Sequence, residues 1–227
     1  KNLQLYHHTH IMDSQAGTHL VPPAYALPTD ESAMRECPAE IRGWLEAYEA
    51  KYGRIGTSDI TAEKVPVSQT CGRARVIDVA SLVGTTDRNR WRASPEITPA
   101  VIQRYEARSG SLEPGDIAVF RTGHVDRFLR PLPEGSALMA DPVNGKSEGW
   151  PSLGPDAVMY LDSKGVRCAA IDAPTLGGVD ERQALATYWA LGSKGMVGVE
   201  FLTNLDHLPE GASFLFAAVK IRDTHGG

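Results

Sequence analysis

The stretch HHTHIMDSQAGTHLVPPAY, residues 7–25, decides how the rest of this chain is interpreted. It contains four of the seven histidines: His7, His8, His10 and His19. Imidazoles at this density are costly as packing, because each buried ring nitrogen needs a hydrogen-bond partner. They are also the commonest metal ligands and the usual acid–base groups near neutral pH. The stretch therefore indicates a functional site, the alternative being a histidine-rich edge strand on the surface.

Residues within this stretch and just before it predict its local structure. Residues 2–12 alternate in polarity, which predicts a strand with His8 and His10 on one face. Gly17 allows a backbone conformation that other residues avoid. Pro22 and Pro23 then end the strand and stiffen the chain that leaves it.

The composition bounds the kind of protein and its partners. The chain has 227 residues, 42% of them hydrophobic and 22% charged, which is ordinary for a globular protein. A net charge of -5 argues against nucleic acid or an anionic membrane as partner. No apolar run approaches the roughly 20 residues of a membrane span. Three widely spaced cysteines, Cys37, Cys71 and Cys168, favour reduced thiols and a cytoplasmic location.

Beyond the opening stretch, periodicity predicts alternating helices and strands. The predicted helices are 38–52, 98–108, 155–164 and 180–194, and the predicted strands are 73–81, 117–120, 166–172, 196–202 and 213–221. Residues 131–155 are rich in Pro and Gly and predict a long irregular loop. This alternation favours a mixed α/β (α+β) protein, and no linker divides it, so we expect one domain over residues 1–227.

Four segments in order resemble the motifs of one family. They are QAGTHLVPPAY (15–25), PGDIAVFRTGH (114–124), VRCAAIDAPT (166–175) and EFLTNLDHLP (200–209). Together they resemble the putative cyclase family of metal-dependent hydrolases, which contains bacterial kynurenine formamidase and isatin hydrolase. The resemblance implies a swivelling β/β/α-type domain, with a central mixed sheet or barrel and flanking helices. It also implies a homodimer or homotetramer, and a further strand and loop before the signature, which would belong to a preceding segment or to another chain.

The resemblance also shows where the chain departs from the family's metal site. The family's signature supplies two metal-binding histidines, a metal-binding aspartate and an acid–base histidine. The matching positions here are Gln15, His19, Val21 and Tyr25. A further family histidine, twelve residues before a metal-binding glutamate, corresponds to Tyr188, and the glutamate to Glu200. Valine cannot bind a metal, and tyrosine is a poor ligand while its pKa stays near ~10. The two-metal centre of the family is therefore not expected.

A rebuilt centre with one divalent ion, Mn or Zn, is the interpretation we adopt. Its predicted ligands are His19, Gln15, Glu200 and His8, with His10 as the other histidine of that strand face. The predicted catalytic residues are Tyr25, His10 and His124, which would move protons to and from the substrate. Structural alternatives stay open at this stage: Glu200 pairing with an arginine, Gln15 as a hydrogen-bonded loop amide, Tyr188 as core and His124 as pocket lining.

The functional hypothesis is hydrolysis of a cyclic amide, lactone or N-acyl bond by a metal-activated water. Two rivals keep the same fold. One is a metal-independent lyase, dehydratase or isomerase using Tyr25 and the histidines, and the other is a non-catalytic binding subunit. The substrate is expected to be a small molecule, and residues 54–70 and 131–155 are expected to decide which one.

Overall fold

A computed structural model describes residues 11–32, 36–209 and 211–227, and its centre is a curled mixed sheet of six strands. Its strands are β1 (His19–Val21), β2 (Cys71–Asp78), β4 (Ile117–Arg121), β6 (Cys168–Ile171), β7 (Val197–Glu200) and β8 (Ser213–Leu215). Their order across the sheet is β1-β7-β6-β4-β2-β8. Two further strands, β3 (Glu96–Ile97) and β5 (Ser152–Leu153), pair with each other in parallel. The predicted strand over residues 2–12 lies almost wholly outside the described residues.

The four central strands run parallel, and the two outer strands run antiparallel to their neighbours. β2, β4, β6 and β7 pair in parallel, while β1 joins β7 and β8 joins β2 in the opposite sense. The carboxyl ends of the parallel strands therefore meet at one edge, and β1 begins at that same edge. This geometry is the usual place for site residues in sheets with parallel strands.

Helices flank the sheet. In the described residues they are α1 (Ala39–Tyr52), α2 (Pro99–Ser109), α3 (His124–Phe128), α4 (Ala140–Val143), α5 (Pro155–Ser163) and α6 (Glu181–Ser193). Each predicted helix is present within one residue of its expected bounds. Proline in the first turn and a following glycine explain α2, since Pro99 fixes a helical φ and Gly110 takes a φ of 82°. None of the helices in the described part of the chain is long and apolar enough to cross a membrane.

Two sequence predictions about the later chain were wrong in extent. The strand predicted over residues 213–221 ends at Leu215, because its partner β2 begins at Cys71 and is preceded by the 3-10 turn Val67–Thr70. The Phe216 amide still donates to the Thr70 carbonyl oxygen at 3.0 Å, but Thr70 belongs to that turn, so the ladder stops there. Residues 131–155 are not wholly irregular, since they contain a 3-10 turn at Glu134–Leu138 in addition to α4 and β5.

The core lies on both faces of the sheet, as the two-residue repeat of strands requires. In β6, Ala169 and Ile171 join one buried cluster, while Cys168 and Ala170 join the other. All four of these side chains are fully buried. Their continuous apolar run is typical of a parallel strand covered on both faces. The rigid sheet therefore ends in an edge where polar side chains are held in fixed positions.

Candidate active site

The pairing of β1 with β7 brings His19 and Glu200 together. They are opposite each other in the antiparallel ladder, and His19 Nε2 lies 3.2 Å from Glu200 Oε2. Both residues are buried, with 4% and 2% of their surface exposed. A carboxylate with so little contact with water needs charged or hydrogen-bonding partners. The alternative that Glu200 pairs with an arginine is wrong, since its charged partner is His19.

The second carboxylate oxygen of Glu200 is held by Tyr188 and by the backbone. The Tyr188 hydroxyl, from α6, donates to Glu200 Oε1 at 2.6 Å, and the Leu176 amide donates to the same oxygen at 2.6 Å. Burial raises the pKa of Tyr188 well above its ordinary value, and the Glu200 charge adds to that effect. Tyr188 therefore stays protonated as a hydrogen-bond donor, and the orientation of Glu200 is fixed.

His19 has two hydrogen-bond acceptors, one at each ring nitrogen. Its Nδ1 lies 2.9 Å from the Gly17 carbonyl oxygen, and its Nε2 faces Glu200. Burial acts to lower the pKa of His19, but the contacts with Glu200 and Gly17 outweigh burial and raise that pKa. The ring therefore keeps its second proton to a higher pH than a free imidazole does.

Tyr25 and Gln15 complete one side of this cluster. Tyr25 ends a 3-10 turn, Pro23–Tyr25, that follows β1 at once, and its ring meets the Tyr188 ring edge-on at 5.0 Å. Burial raises the pKa of Tyr25, and the nearby Glu200 charge raises it further, against a hydrogen bond with the Gln15 side chain. Tyr25 is 38% exposed, so a protonated phenol stands between the buried pair and solvent.

His124, the other predicted site histidine that the structure describes, is not part of this cluster. His124 Nε2 bonds to the Leu138 carbonyl oxygen at 2.8 Å, and the ring packs on Phe128 and Trp150 at centroid distances of 4.9 and 5.4 Å. Burial lowers the pKa of His124. Its catalytic role stays a prediction. His8 and His10 lie outside the described residues.

Asp172 ends the strand beside β7 but has a different environment. Its carboxylate accepts hydrogen bonds from the Thr122 and Gly123 amides at 2.5 and 2.8 Å, and from the Thr122 hydroxyl at 2.7 Å. These bonds tie the end of β4 to the end of β6. Asp172 is therefore a structural carboxylate that joins two strand ends.

The residues present fit one divalent ion and do not fit two. The 3.2 Å between His19 Nε2 and Glu200 Oε2 is close to the roughly 3.3 Å expected for two ligands around one tetrahedral ion with bonds of about 2.0–2.2 Å. Gln15 adds an amide oxygen nearby. Val21 is buried and has no donor atom. Among residues 11–32, 36–209 and 211–227, no group of three His, Cys, Asp or Glu side chains has metal-binding geometry.

A large cavity lies elsewhere. It has about 850 Å³ and is lined by α1, the segment 82–96 and one face of α6. α6 presents Trp189 to this cavity and Tyr188 to Glu200. None of the clustered site residues lines it. The role predicted for residues 54–70 and 131–155 in choosing a substrate therefore stays a prediction.

Comparison with known proteins identifies the family. A family model described as "Putative cyclase" matches residues 3–177, so the chain belongs to the putative cyclase family. No curated protein sequence matches it. An isatin hydrolase bound to the product analogue thioisatinate superposes with a TM-score of 0.64 at 21% identity, over 95% of this chain and 70% of the other.

Two other solved structures support the same fold. Isatin hydrolase A from Ralstonia solanacearum gives a TM-score of 0.63 at 21% identity, over 94% of this chain and 69% of the other. A structure described as a potential metal-dependent hydrolase with cyclase activity gives 0.58 at 21% identity, over 95% and 76%. At these identities the likeness shows the fold. The resemblance found in the sequence is confirmed, as is the mixed α+β architecture.

Some contacts around the pair were beyond sequence reasoning. The Thr18 hydroxyl donates to the Phe201 carbonyl oxygen at 2.7 Å, and the Leu176 amide reaches Glu200. Leu176 offers no chemical signal, because its contribution is a backbone N–H. Thr18 did carry a signal, since it directly precedes His19, but its partner is 183 positions away.

Proposed function

We propose that this chain is a hydrolase of the cyclase family that opens a cyclic amide or lactone or cleaves an N-acyl bond. The observation that carries the proposal is the buried contact between His19 and Glu200, with Gln15 and Tyr25 beside it. The titles of the solved relatives, isatin hydrolase and metal-dependent hydrolase, support hydrolysis as the reaction class.

In this proposal His19, Glu200 and Gln15 hold one Mn or Zn ion, with His8 as a further predicted ligand. Such an ion, when bound, lowers the pKa of a water towards ~7 and polarises the carbonyl group of the substrate. The mixed nitrogen and oxygen donors suit these metals better than a thiolate-preferring ion.

The protein's other side chains then have separate tasks. Tyr25, protonated because burial raises its pKa, donates a proton to the leaving nitrogen or oxygen. Tyr188 keeps Glu200 oriented through the 2.6 Å hydrogen bond. Asp172 anchors the neighbouring strand ends and does not touch the reacting atoms. His10 and His124 stay as candidates for the base.

A panel assay with metal analysis tests this function. The purified chain is incubated with Mn or Zn and with a cyclic amide, a lactone and an N-formyl arylamine, and bound metal is measured by elemental analysis. We expect about one ion per chain and hydrolysis of one substrate class, both lost in His19→Ala and retained in the exposed control Glu181→Gln. Absence of bound metal in both the parent chain and His19→Ala would remove the metallohydrolase version.

A metal-independent lyase, dehydratase or isomerase is the second candidate. The observation that favours it is that His19 and Glu200 contact each other directly, with Tyr25 placed as a nearby proton donor. Full activity in a chelator that is lost in Tyr25→Phe would favour this candidate over the hydrolase.

A non-catalytic binding subunit is the third candidate. Val21 and Tyr188, at two of the family's ligand positions, both belong to the same buried apolar cluster. Calorimetric binding of a substrate-like amide without turnover, in the presence of Mn or Zn, would favour it.

A further inference from the structure

The His19–Glu200 pair lies at the very end of a short ladder. β1 and β7 pair at only three positions, Leu20 with Val199, Val21 with Gly198, and His19 with Glu200 last. Terminal pairs of a ladder open most easily, because only one side of them is supported. The contact on which the proposed function rests therefore needs support from beyond the ladder.

The backbone turns sharply just outside the pair on both strands. Gly17 takes a φ of 69°, and Phe201 takes a φ of 60°. Glycine adopts this conformation freely, but a bulky side chain does so only under strain. A strained residue persists only where surrounding contacts hold it, and such residues cluster at functional sites.

Three hydrogen bonds hold the strained segment after Glu200. The Phe201 amide donates to the Ala173 carbonyl oxygen at 3.0 Å, and the Leu202 amide donates to Ile171 at 3.0 Å. Both of these bonds tie the segment to the end of β6. The bond from the Thr18 hydroxyl to the Phe201 carbonyl oxygen, at 2.7 Å, is the one that ties it to the β1 side.

We propose that Thr18 is a positioning residue, whose hydroxyl closes the open end of the β1–β7 ladder and holds His19 against Glu200. Thr18 directly precedes His19 and Phe201 directly follows Glu200, so the bond spans the residues next to both members of the pair. Thr18 is exposed, and its hydroxyl bonds to the Phe201 backbone instead of to the His19 or Glu200 side chain. Its effect on the pair passes through the backbone.

The inference rests on the proposed function for its kinetic consequence but not for its structural one. A misplacement of about 1 Å at a reacting group can lower a rate by about 10²-fold. Loss of the hydroxyl should therefore lower kcat, while KM changes little because Thr18 lies outside the paired side chains. The geometry of His19 should change whether or not the chain is a hydrolase.

Matched threonine variants test the role of the hydroxyl. Thr18→Val removes it and keeps the branched shape, Thr18→Ser keeps it, and Thr29→Val makes the same change at an exposed threonine outside residues 54–70 and 131–155. Each protein is compared for kcat, KM and melting temperature, and for the ring 15N resonances of His19 by NMR in chelator. Circular dichroism checks that each variant is folded.

We expect Thr18→Val to lower kcat about tenfold or more, with KM within about twofold, and to shift the His19 resonances. Thr18→Ser and Thr29→Val should match the parent chain.

Unchanged His19 resonances in Thr18→Val, or the same change in Thr18→Ser, would overturn the positioning role. If the parent chain hydrolyses none of the panel substrates, the proposed function fails, and the NMR comparison still decides whether Thr18 holds the pair.

Discussion

Two buried histidines at the same edge of the sheet behave in opposite ways. His19 and His124 are 4% and 6% exposed, and each bonds through one ring nitrogen to a backbone carbonyl oxygen. Burial acts to lower the pKa of both. In His19 the neighbouring Glu200 reverses the direction and raises the pKa, whereas His124 packs on Phe128 and Trp150 and its pKa stays lowered.

The comparison shows that one neighbouring carboxylate can reverse the direction in which burial shifts the pKa of an imidazole. A neutral, buried ring that fills space next to aromatic side chains is typical of the core. A ring held between a carbonyl oxygen and a carboxylate is prepared for proton transfer or for metal binding once its proton leaves. The surrounding residues, more than the residue type, therefore mark His19 as the candidate for chemistry.

The strongest way to break this contrast is Glu200→Gln. We expect activity to fall by about 10²–10⁴-fold, because the pair loses its negative charge. The pKa of His19 should then fall, because burial lowers it and only the Gly17 hydrogen bond and the Asp13 charge remain to raise it. Enzyme assays and an NMR titration in chelator measure the two effects, with Glu181→Gln as control. Parental activity in Glu200→Gln would refute the role of the carboxylate.

Removing the phenol of Tyr25 should have the next largest effect. Tyr25→Phe keeps the edge-on contact with Tyr188 but removes the proposed proton donor, so kcat should fall by about 10²-fold. Because Tyr25 is 38% exposed, the free energy of unfolding should change by less than about 1 kcal/mol. A kcat equal to that of the parent would exclude Tyr25 as the acid.

His124→Phe sharpens the contrast through stability instead of activity. The Leu138 carbonyl oxygen loses its donor, which should cost about 1–3 kcal/mol in the free energy of unfolding. Since the folded-state pKa of His124 is lowered, its stabilising effect is present above the unfolded pKa of about 6.5 and is lost as pH falls towards the folded value. Urea unfolding at pH 5–8 should show this acid-side loss in the parent and less of it in the variant; equal slopes would contradict it.

An exposed ion pair provides the smallest expected effect. Lys51 Nζ lies 3.3 Å from Asp156 Oδ2, a separation close to that of His19 and Glu200, but both side chains are more than half exposed. Lys51→Ala should change the free energy of unfolding by less than about 1 kcal/mol, because water screens the pair. Urea denaturation measures it, and a loss above about 2 kcal/mol would show that exposure does not explain the difference between the pairs.

Much of the fold could be predicted because its signals are local. The helix over 38–52 follows from apolar residues at helical spacing and a closing glycine, and the structure has it at Ala39–Tyr52. The buried strand at 117–120 follows from an unbroken apolar run. The end of β8 could not be predicted, because it depends on where the distant partner strand begins.

The candidate site was predictable only in part, for a related reason. Gln15, His19, Tyr25 and Glu200 carry chemical side chains in recognisable motifs, and the structure brings them together. The contributions of Leu176 and Phe201 come from backbone groups and a strained φ, which leave no trace in residue type. His124 carries a suggestive motif, yet its burial among aromatic rings depends on segments far away in sequence.

The distance along the chain between the two halves of the β1–β7 ladder has a consequence for biosynthesis. Thr18 and Phe201 are 183 positions apart, so β1 leaves the ribosome long before the strand it must pair with. At about 5–20 residues per second, that wait is on the order of 10–40 s. The parallel strands β2, β4 and β6 are complete earlier, which makes closure of the ladder a late event during translation.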